Sequence, residues 1–192
     1  MLIETLQLTV LIQCYICFFM RVLYTAEEIA ARVAQLADEI TTVYNGSNLV
    51  VIGILKGCFV FMSDLVREIK LPLEIDFARL ASYGDSDSPS GQVKILKDIE
   101  IDIEDKSILI VDDIMDTGHT LHVFKEHLIA KGAISVKICT LIDKNWRRQV
   151  HMKPDFTGFY LEKGFVVGYG LDYGEKYRTL PEIYVLEPQD RE

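Results

Sequence analysis

Three stretches of this chain, Asn48 to Leu55, Ser107 to Val111 and Ser135 to Ile142, are mostly apolar over the length of a strand and do not alternate with polar residues. A strand that is apolar on both faces suits the middle of a parallel sheet covered by helices. The segments between and before them have helical spacing. Thr25-Ala26-Glu27-Glu28 is a capping box, and Ile29, Val33, Leu36 and Ile40 then form one apolar stripe that Asn45-Gly46 stops. Met62, Leu65, Val66 and Ile69 give a second helix its buried face before Pro72, and a third starts near His119 with Leu121, Phe124 and Leu128 inward and Gly132 as its stop. Leu73 to Ala81 and Val93 to Ile99 read as further strands. This alternation predicts an α/β fold with a doubly wound, mainly parallel sheet, in which ligands sit at the carboxyl ends of the strands. No internal repeat and no second domain are visible.

Composition narrows the function. The chain has 192 residues and a formal charge of -9, which argues against nucleic-acid binding, because that affinity comes mainly from counterions released at clustered Lys and Arg. Cys58 and Cys139, each alone in an apolar segment, read as buried thiols and fit a reducing cytoplasm. Residues 1–20 stand apart as an apolar extension whose single charged residue is Glu4. It lacks the basic start and cleavage site of a secretory signal. The run from Leu6 to Met20 is interrupted by Gln7, Thr9 and Gln13 and falls short of the roughly 20 apolar residues of a spanning helix. An oligomer contact, a peripheral membrane anchor and an unnatural upstream start remain open for it. Cys14 and Cys17 form a CxxC with neither a second pair nor a strand-to-helix context, a weak signal.

The segment Ile108 to Leu121 carries the chemistry. Four apolar residues deliver Asp112 and Asp113 to a strand end, where a tight turn of Asp116, Thr117 and Gly118 opens a helix. The free N–H groups and positive dipole end of such a helix hold a phosphate without any lysine, with Thr117 and Thr120 as hydroxyl donors and Gly118 allowing close approach. Three carboxylates in five residues would repel that phosphate if they faced it. They call for ribose hydroxyls, a metal or a proton to move, and helix capping accounts for only one of them. Between the Leu73 to Ala81 strand and Val93, the stretch from Gly84 to Gln92 is rich in Gly, Ser and Asp, too polar to order itself by burial, and reads as a mobile surface flap.

VDDIMDTGHT resembles the phosphoribosyl pyrophosphate signature of the type I phosphoribosyltransferases. Leu55-Lys56-Gly57, Ser82-Tyr83 ahead of the flap, Leu141-Ile142-Asp143-Lys144, and Lys163 to Tyr173 followed by Arg178 occur in the order found in the hypoxanthine-guanine branch of that family, over about residues 21–188. The resemblance implies a central, mainly parallel sheet with a small base-binding hood, in one phosphoribosyltransferase domain over 21–192. It implies purine salvage with phosphoribosyl pyrophosphate and a 6-oxopurine as substrates, Mg²⁺ as cofactor and a homo-dimer or homo-tetramer. By the same resemblance Asp112 and Asp113 accept from the ribose hydroxyls and share a magnesium ion, and Asp116 exchanges a proton with purine N7. The loop of Thr117, Gly118, His119 and Thr120 holds phosphate. Lys144 donates to the purine O6, Phe165 stacks on the base, and the Val166 backbone meets its edge. Asp172 lies near the base and holds a second magnesium, Arg178 binds pyrophosphate, and Leu55, Lys56 and Gly57 hold it through backbone amides after a cis Leu55–Lys56 peptide. Ser82 and Tyr83 travel with the flap.

Two departures stand out. His119 occupies a position where relatives often carry Lys, and Gly170 and Gly174 flank Leu171-Asp172-Tyr173, where they are expected to loosen the segment bearing Asp172. A receiver-type signalling domain also combines three acids with a Thr and a Lys, but distributes them differently along the chain. An RNA-binding regulator on the same fold conflicts with the net charge, and enzymes acting on adenine, uracil or orotate conflict with Lys144 and Phe165-Val166.

Overall fold

A computed structural model describes residues 20–83 and 92–187. The N-terminal apolar segment before Met20, with Cys14 and Cys17, and residues 84–91 of the expected flap lie outside the described residues. In chain order the elements are β1 (Arg21–Tyr24), α1 (Ala26–Val43), β2 (Leu49–Leu55), α2 (Phe59–Glu68), β3 (Leu73–Tyr83), β4 (Gln92–Lys97), β5 (Ser107–Met115), α3 (His119–Ala130), β6 (Ser135–Asp143), a 3-10 turn (Asn145–Arg147), β7 (Phe156–Tyr160), β8 (Val166–Val167) and β9 (Ile183–Val185).

Six strands form the main sheet in the order β4-β3-β2-β5-β6-β7. All neighbours are parallel except β4, which returns antiparallel along β3. The chain moves from β2 to β3 on one side and later to β5 on the other, so the order reverses between β2 and β5, where open α/β sheets bind ligands. The non-alternating apolar runs have their physical reason here. Val51, Leu109 and Val111 face a core with Ile29, Leu36 and Ile40 of α1 and Phe61, Met62 and Leu65 of α2. Val50, Ile52, Ile108 and Ile110 face the opposite core with Leu121, Phe124 and Leu128 of α3. Successive residues of one strand point to opposite faces, and both faces are covered. Each large apolar side chain fully buried this way is worth about 1.5–3 kcal/mol. The capping box at α1 forms as read: Thr25 Oγ1 accepts from the Glu28 N–H at 3.2 Å, and Glu28 Oε2 accepts from the Thr25 N–H at 2.8 Å.

A second sheet of three short antiparallel strands, in the order β1-β9-β8, makes the hood. Met20, Val167, Leu180, Tyr184 and Leu186 form its core, with Phe165, Tyr173 and Tyr177 packed against them. Cys58 and Cys139 are buried free thiols. No described helix is long and apolar enough to cross a membrane.

Three boundaries differ from expectation. β5 does not end before the acid pair; its ladder with β6 runs on through Asp112↔Thr140 to Met115↔Asp143, because β6 is equally long. Ser82 and Tyr83 are not flap residues in backbone terms, since they pair with Val93 and Gln92 in the β3–β4 ladder. β4 stops at Lys97, where Asp98 turns its carboxylate onto the next N–H, that of Ile99, at 2.8 Å.

Candidate active site

The site begins where two strands part. The β2–β5 ladder stops at Gly53↔Val111, after which β2 continues to Leu55 beside β3 and β5 continues beside β6. The pairing of the two strands thus ends at the centre of the sheet, and the Leu55–Gly57 turn and the acid pair follow directly from it. The Leu55–Lys56 peptide is cis, as the resemblance implied, and Gly57 lies so close to Asp113 that a Cβ there would fall inside the carboxylate. Only glycine permits that approach.

Asp112 and Asp113 are held by their own turn. Asp112 Oδ1 accepts from the Asp113 N–H and Asp113 Oδ1 from the Ile114 N–H, both at 3.0 Å. Burial raises both carboxyls above the ordinary carboxylate range. At Asp112 the neighbouring Asp113 charge adds to it, while at Asp113 hydrogen bonding and the Arg178 charge act against it. Two adjacent acids disfavoured as anions by their surroundings fit a hard divalent cation. Among the described residues no three His, Cys, Asp or Glu side chains converge to hold a metal.

The turn into α3 follows. Gly118 has φ +79°, and the first intrahelical bond runs from the His122 N–H to the Gly118 carbonyl at 2.9 Å. The N–H groups before it, through Thr120 and Leu121, have no intrahelical acceptor, and Thr117 Oγ1 accepts from the His119 N–H at a long 3.4 Å. This leaves an anion-binding helix start. Asp116 stands at its rim. Its Oδ2 accepts from Arg147 Nη1 at 3.0 Å, whereas its Oδ1 is buried and accepts no hydrogen bond within the described residues. A buried carboxylate oxygen without a donor is costly, and a ligand N–H would relieve it.

At the end of β6, Lys144 is buried, and its ammonium lies 5.7 Å from the centroid of the Phe165 ring. Phe165 in turn meets Tyr173 edge-on at 5.6 Å. β8 is the edge of the hood sheet. The Leu186 N–H donates to the Phe165 carbonyl at 2.8 Å, which makes Phe165 and Leu186 a hydrogen-bonded pair and Val166 and Val185 a non-bonded one. In an antiparallel ladder the polar backbone groups of alternate residues point to opposite sides. The Val166 N–H and carbonyl therefore point away from β9, toward the open edge.

The loop from Gly168 to Arg178 closes the site. Gly170 has φ +99°, and a Cβ on it would sit deep inside the Gly57 carbonyl oxygen. It therefore clamps the hood loop onto the Leu55–Gly57 turn, contrary to the loosening expected of it. Arg178 Nη1 donates to the Gly170 carbonyl at 2.8 Å, and Nη2 reaches Asp172 Oδ1 at 2.9 Å and Glu175 Oε2 at 3.2 Å. Glu175 also accepts from Lys56 Nζ at 3.0 Å, and its N–H donates to Asp172 Oδ2 at 2.8 Å. Hydrogen bonds from Lys56 and Arg178 hold the Glu175 carboxyl below its usual range.

Residues 22–174 match the phosphoribosyl transferase domain family. The hypoxanthine-guanine phosphoribosyltransferase of Bacillus subtilis is 46% identical over 168 residues, 88% of this chain and 93% of that protein. The chain belongs to the hypoxanthine-guanine phosphoribosyltransferase family. The hypoxanthine phosphoribosyltransferase of Salmonella typhimurium is 48% identical over 158 residues, 81% of this chain and 89% of the relative. A crystal structure of the Staphylococcus aureus hypoxanthine phosphoribosyltransferase superposes with a TM-score of 0.85 at 43% identity, covering 88% of this chain and 92% of that one. The architecture is that of the type I members, a mainly parallel sheet flanked by helices with a small antiparallel sheet beside it.

Within this family frame, the structure brings Gly57 to Asp113, Gly170 to Gly57, Arg178 to Asp172, and Lys144 to Phe165. Asp172 is engaged by Arg178 and the Glu175 N–H. Two residues at the site, Arg147 beside Asp116 and Glu175 between Lys56 and Arg178, have no spacing in the sequence that signals their partners.

Proposed function

We propose that this chain transfers the 5-phosphoribosyl group from phosphoribosyl pyrophosphate to N9 of hypoxanthine, and of guanine, releasing pyrophosphate and forming inosine or guanosine monophosphate in purine salvage. The observation that carries the reading is the end of the β2–β5 ladder at Gly53↔Val111, beyond which the Gly57 backbone packs against Asp113 and the Arg178 charge acts on that acid. Membership in the family supports it.

Bond breaking at ribose C1 leads, so the transition state is an oxocarbenium-like ribosyl group beside a departing diphosphate, and the protein has to stabilise the diphosphate and exclude water. The backbone of Leu55, Lys56 and Gly57 and the Arg178 guanidinium bind it, a planar fork suiting phosphate. The α3 turn from Thr117 through Gly118 and His119 to Thr120 holds the other phosphate by its N–H groups. Asp112 and Asp113 accept from the ribose hydroxyls, and Ser82 and Tyr83 sit at the strand end beside the substrate. Asp112 and Asp113, and separately Asp172, would hold magnesium, which would supply the positive charge that reconciles these carboxylates with a polyanion. Asp116 Oδ1, the oxygen lacking a donor, takes the proton from purine N7 as N9 attacks C1. Lys144 donates to O6, Phe165 stacks on the ring, Asp172 borders the base, and the outward backbone of Val166 meets the purine edge.

We place this activity in the cytoplasm, where Cys58 and Cys139 stay reduced, and read the protein as a homo-dimer or homo-tetramer that does not bind nucleic acid. Light scattering on the purified chain tests the assembly. The decisive experiment offers hypoxanthine, guanine, xanthine, adenine, uracil and orotate in parallel with phosphoribosyl pyrophosphate and Mg²⁺ and follows nucleotide formation by absorbance. Hypoxanthine and guanine are expected to turn over. Failure of every base overturns the proposal.

A further inference from the structure

The Arg178 guanidinium at the proposed pyrophosphate position and the Lys56 side chain, whose backbone borders that position, are already engaged by carboxylates of the protein itself, Arg178 by Asp172 as well. Glu175 spans them, with Oε1 at 3.0 Å from Lys56 Nζ and Oε2 at 3.2 Å from Arg178 Nη2. The two partners come from opposite walls of the site, one from the turn after β2 and the other from the hood loop. Glu175 reaches them because the chain makes a tight hairpin there: Tyr173 and Lys176 pair through both backbone bonds, at 3.2 and 3.1 Å, and Glu175 itself has φ +66°. Its N–H on Asp172 Oδ2 fixes the backbone at that point. The carboxylate side chain is itself largely exposed, so it can swing out to solvent without opening the core.

We infer that Glu175 is a resident substitute for pyrophosphate: its carboxylate occupies Lys56 and Arg178 in the ligand-free protein, and an incoming diphosphate has to displace it. The inference rests on the proposed function, since it takes the diphosphate position from that reading. A carboxylate bridging two cations keeps both side chains extended toward the site while it is empty, yet it competes with every anion that binds there. The competition acts on both substrate and product. It weakens the grip on phosphoribosyl pyrophosphate and also helps expel pyrophosphate after transfer, because the carboxylate is tethered a bond rotation away and needs no diffusion to return. Glu175 is thus a positioning and release residue, and it need not touch the reacting atoms.

The test uses the full chain and its Glu175→Gln and Glu175→Ala variants, titrated with pyrophosphate in the calorimeter with Mg²⁺ present and again with Mg²⁺ chelated, alongside steady-state kinetics. Both variants are expected to bind pyrophosphate about three- to tenfold more tightly, the scale of two exposed ion pairs no longer competing. The KM for phosphoribosyl pyrophosphate should fall by a similar factor, product inhibition by pyrophosphate should strengthen, and the KM for hypoxanthine should stay unchanged. A merely structural ion pair would not produce that split. Unchanged or weaker pyrophosphate binding in both variants overturns the inference while leaving the function intact, provided the wild-type chain makes inosine monophosphate. Absence of that turnover in the wild-type chain removes the function itself.

Discussion

Replacing Gly170 by Ala tests whether the hood loop is clamped onto the Leu55–Gly57 turn. Two costs combine at this position. A residue with a Cβ at φ +99° is strained by about 1–3 kcal/mol, and the new methyl overlaps the Gly57 carbonyl oxygen, backbone that cannot rotate away. Overpacking of this kind typically costs a further 1–3 kcal/mol, so the total is about 2–6 kcal/mol. For a protein of this size each kcal/mol lowers the melting temperature by about 2–4 °C, which predicts a fall of roughly 4–24 °C. Gly164 provides the control. It has φ +111° with nothing within 4 Å of a built Cβ, so Gly164→Ala carries the backbone strain without the clash. Urea unfolding of both variants separates the two terms. Gly170→Ala should be the less stable by the overpacking share, and its KM for phosphoribosyl pyrophosphate should rise severalfold as Arg178, which donates to the Gly170 carbonyl, moves off the turn. If the two variants unfold at the same urea concentration and bind substrate alike, the close approach at Gly57 carries no energy and the clamp is wrong.

Asp116→Asn should lower kcat by about 10²- to 10⁴-fold in a steady-state assay while sparing the KM for phosphoribosyl pyrophosphate, since general acid-base help is worth that much. Lys144→Gln should raise the KM for hypoxanthine by about 10- to 100-fold, the value of a hydrogen bond from a charged donor, with little effect on phosphoribosyl pyrophosphate. Asp112 has a raised carboxyl in the folded state, so the folded protein binds its proton more tightly than the unfolded chain; this group's contribution to stability is most favourable at acid pH and is lost as pH rises from the ordinary carboxyl range through the raised value. Asp112→Asn should therefore gain stability over the wild-type chain as pH rises from about 4 toward neutrality, measured by urea midpoints without Mg²⁺. A stability difference that is flat in pH would contradict that assignment.

How far the sequence reveals this molecule depends on how local each signal is. The strands β2, β5 and β6 and the helix stripe of Ile29, Val33, Leu36 and Ile40 are legible because burial on one face or two leaves a period in the residues themselves. The hood is not. β1 and β8 have four and two residues, and β1 pairs with β9 across most of the chain, so no window contains both partners. The acid pair was legible in its residue types, but its place inside β5 was not, because the strand is prolonged by β6 and not by anything in VDDIM. Gly170 and Glu175 mark the limit. A glycine can loosen a loop or permit a close approach, and only the position of the Gly57 carbonyl decides between them; a glutamate in a polar loop is ordinary until Lys56 and Arg178 arrive from two other segments.

The parting of β2 and β5 also bears on timing. Beyond Gly53 and Val111 the facing edges of the two strands forgo the hydrogen bonds that a continuous ladder would have made between them. That loss is incurred once, when the chain folds, and is carried by the packed layers on either side of the sheet. A substrate bound at these strand ends, as proposed, needs no ladder broken between β2 and β5, which keeps that reorganisation cost out of its affinity. A sheet that sealed over this gap in the empty protein would be more stable at rest and would have to tear itself open at every turnover.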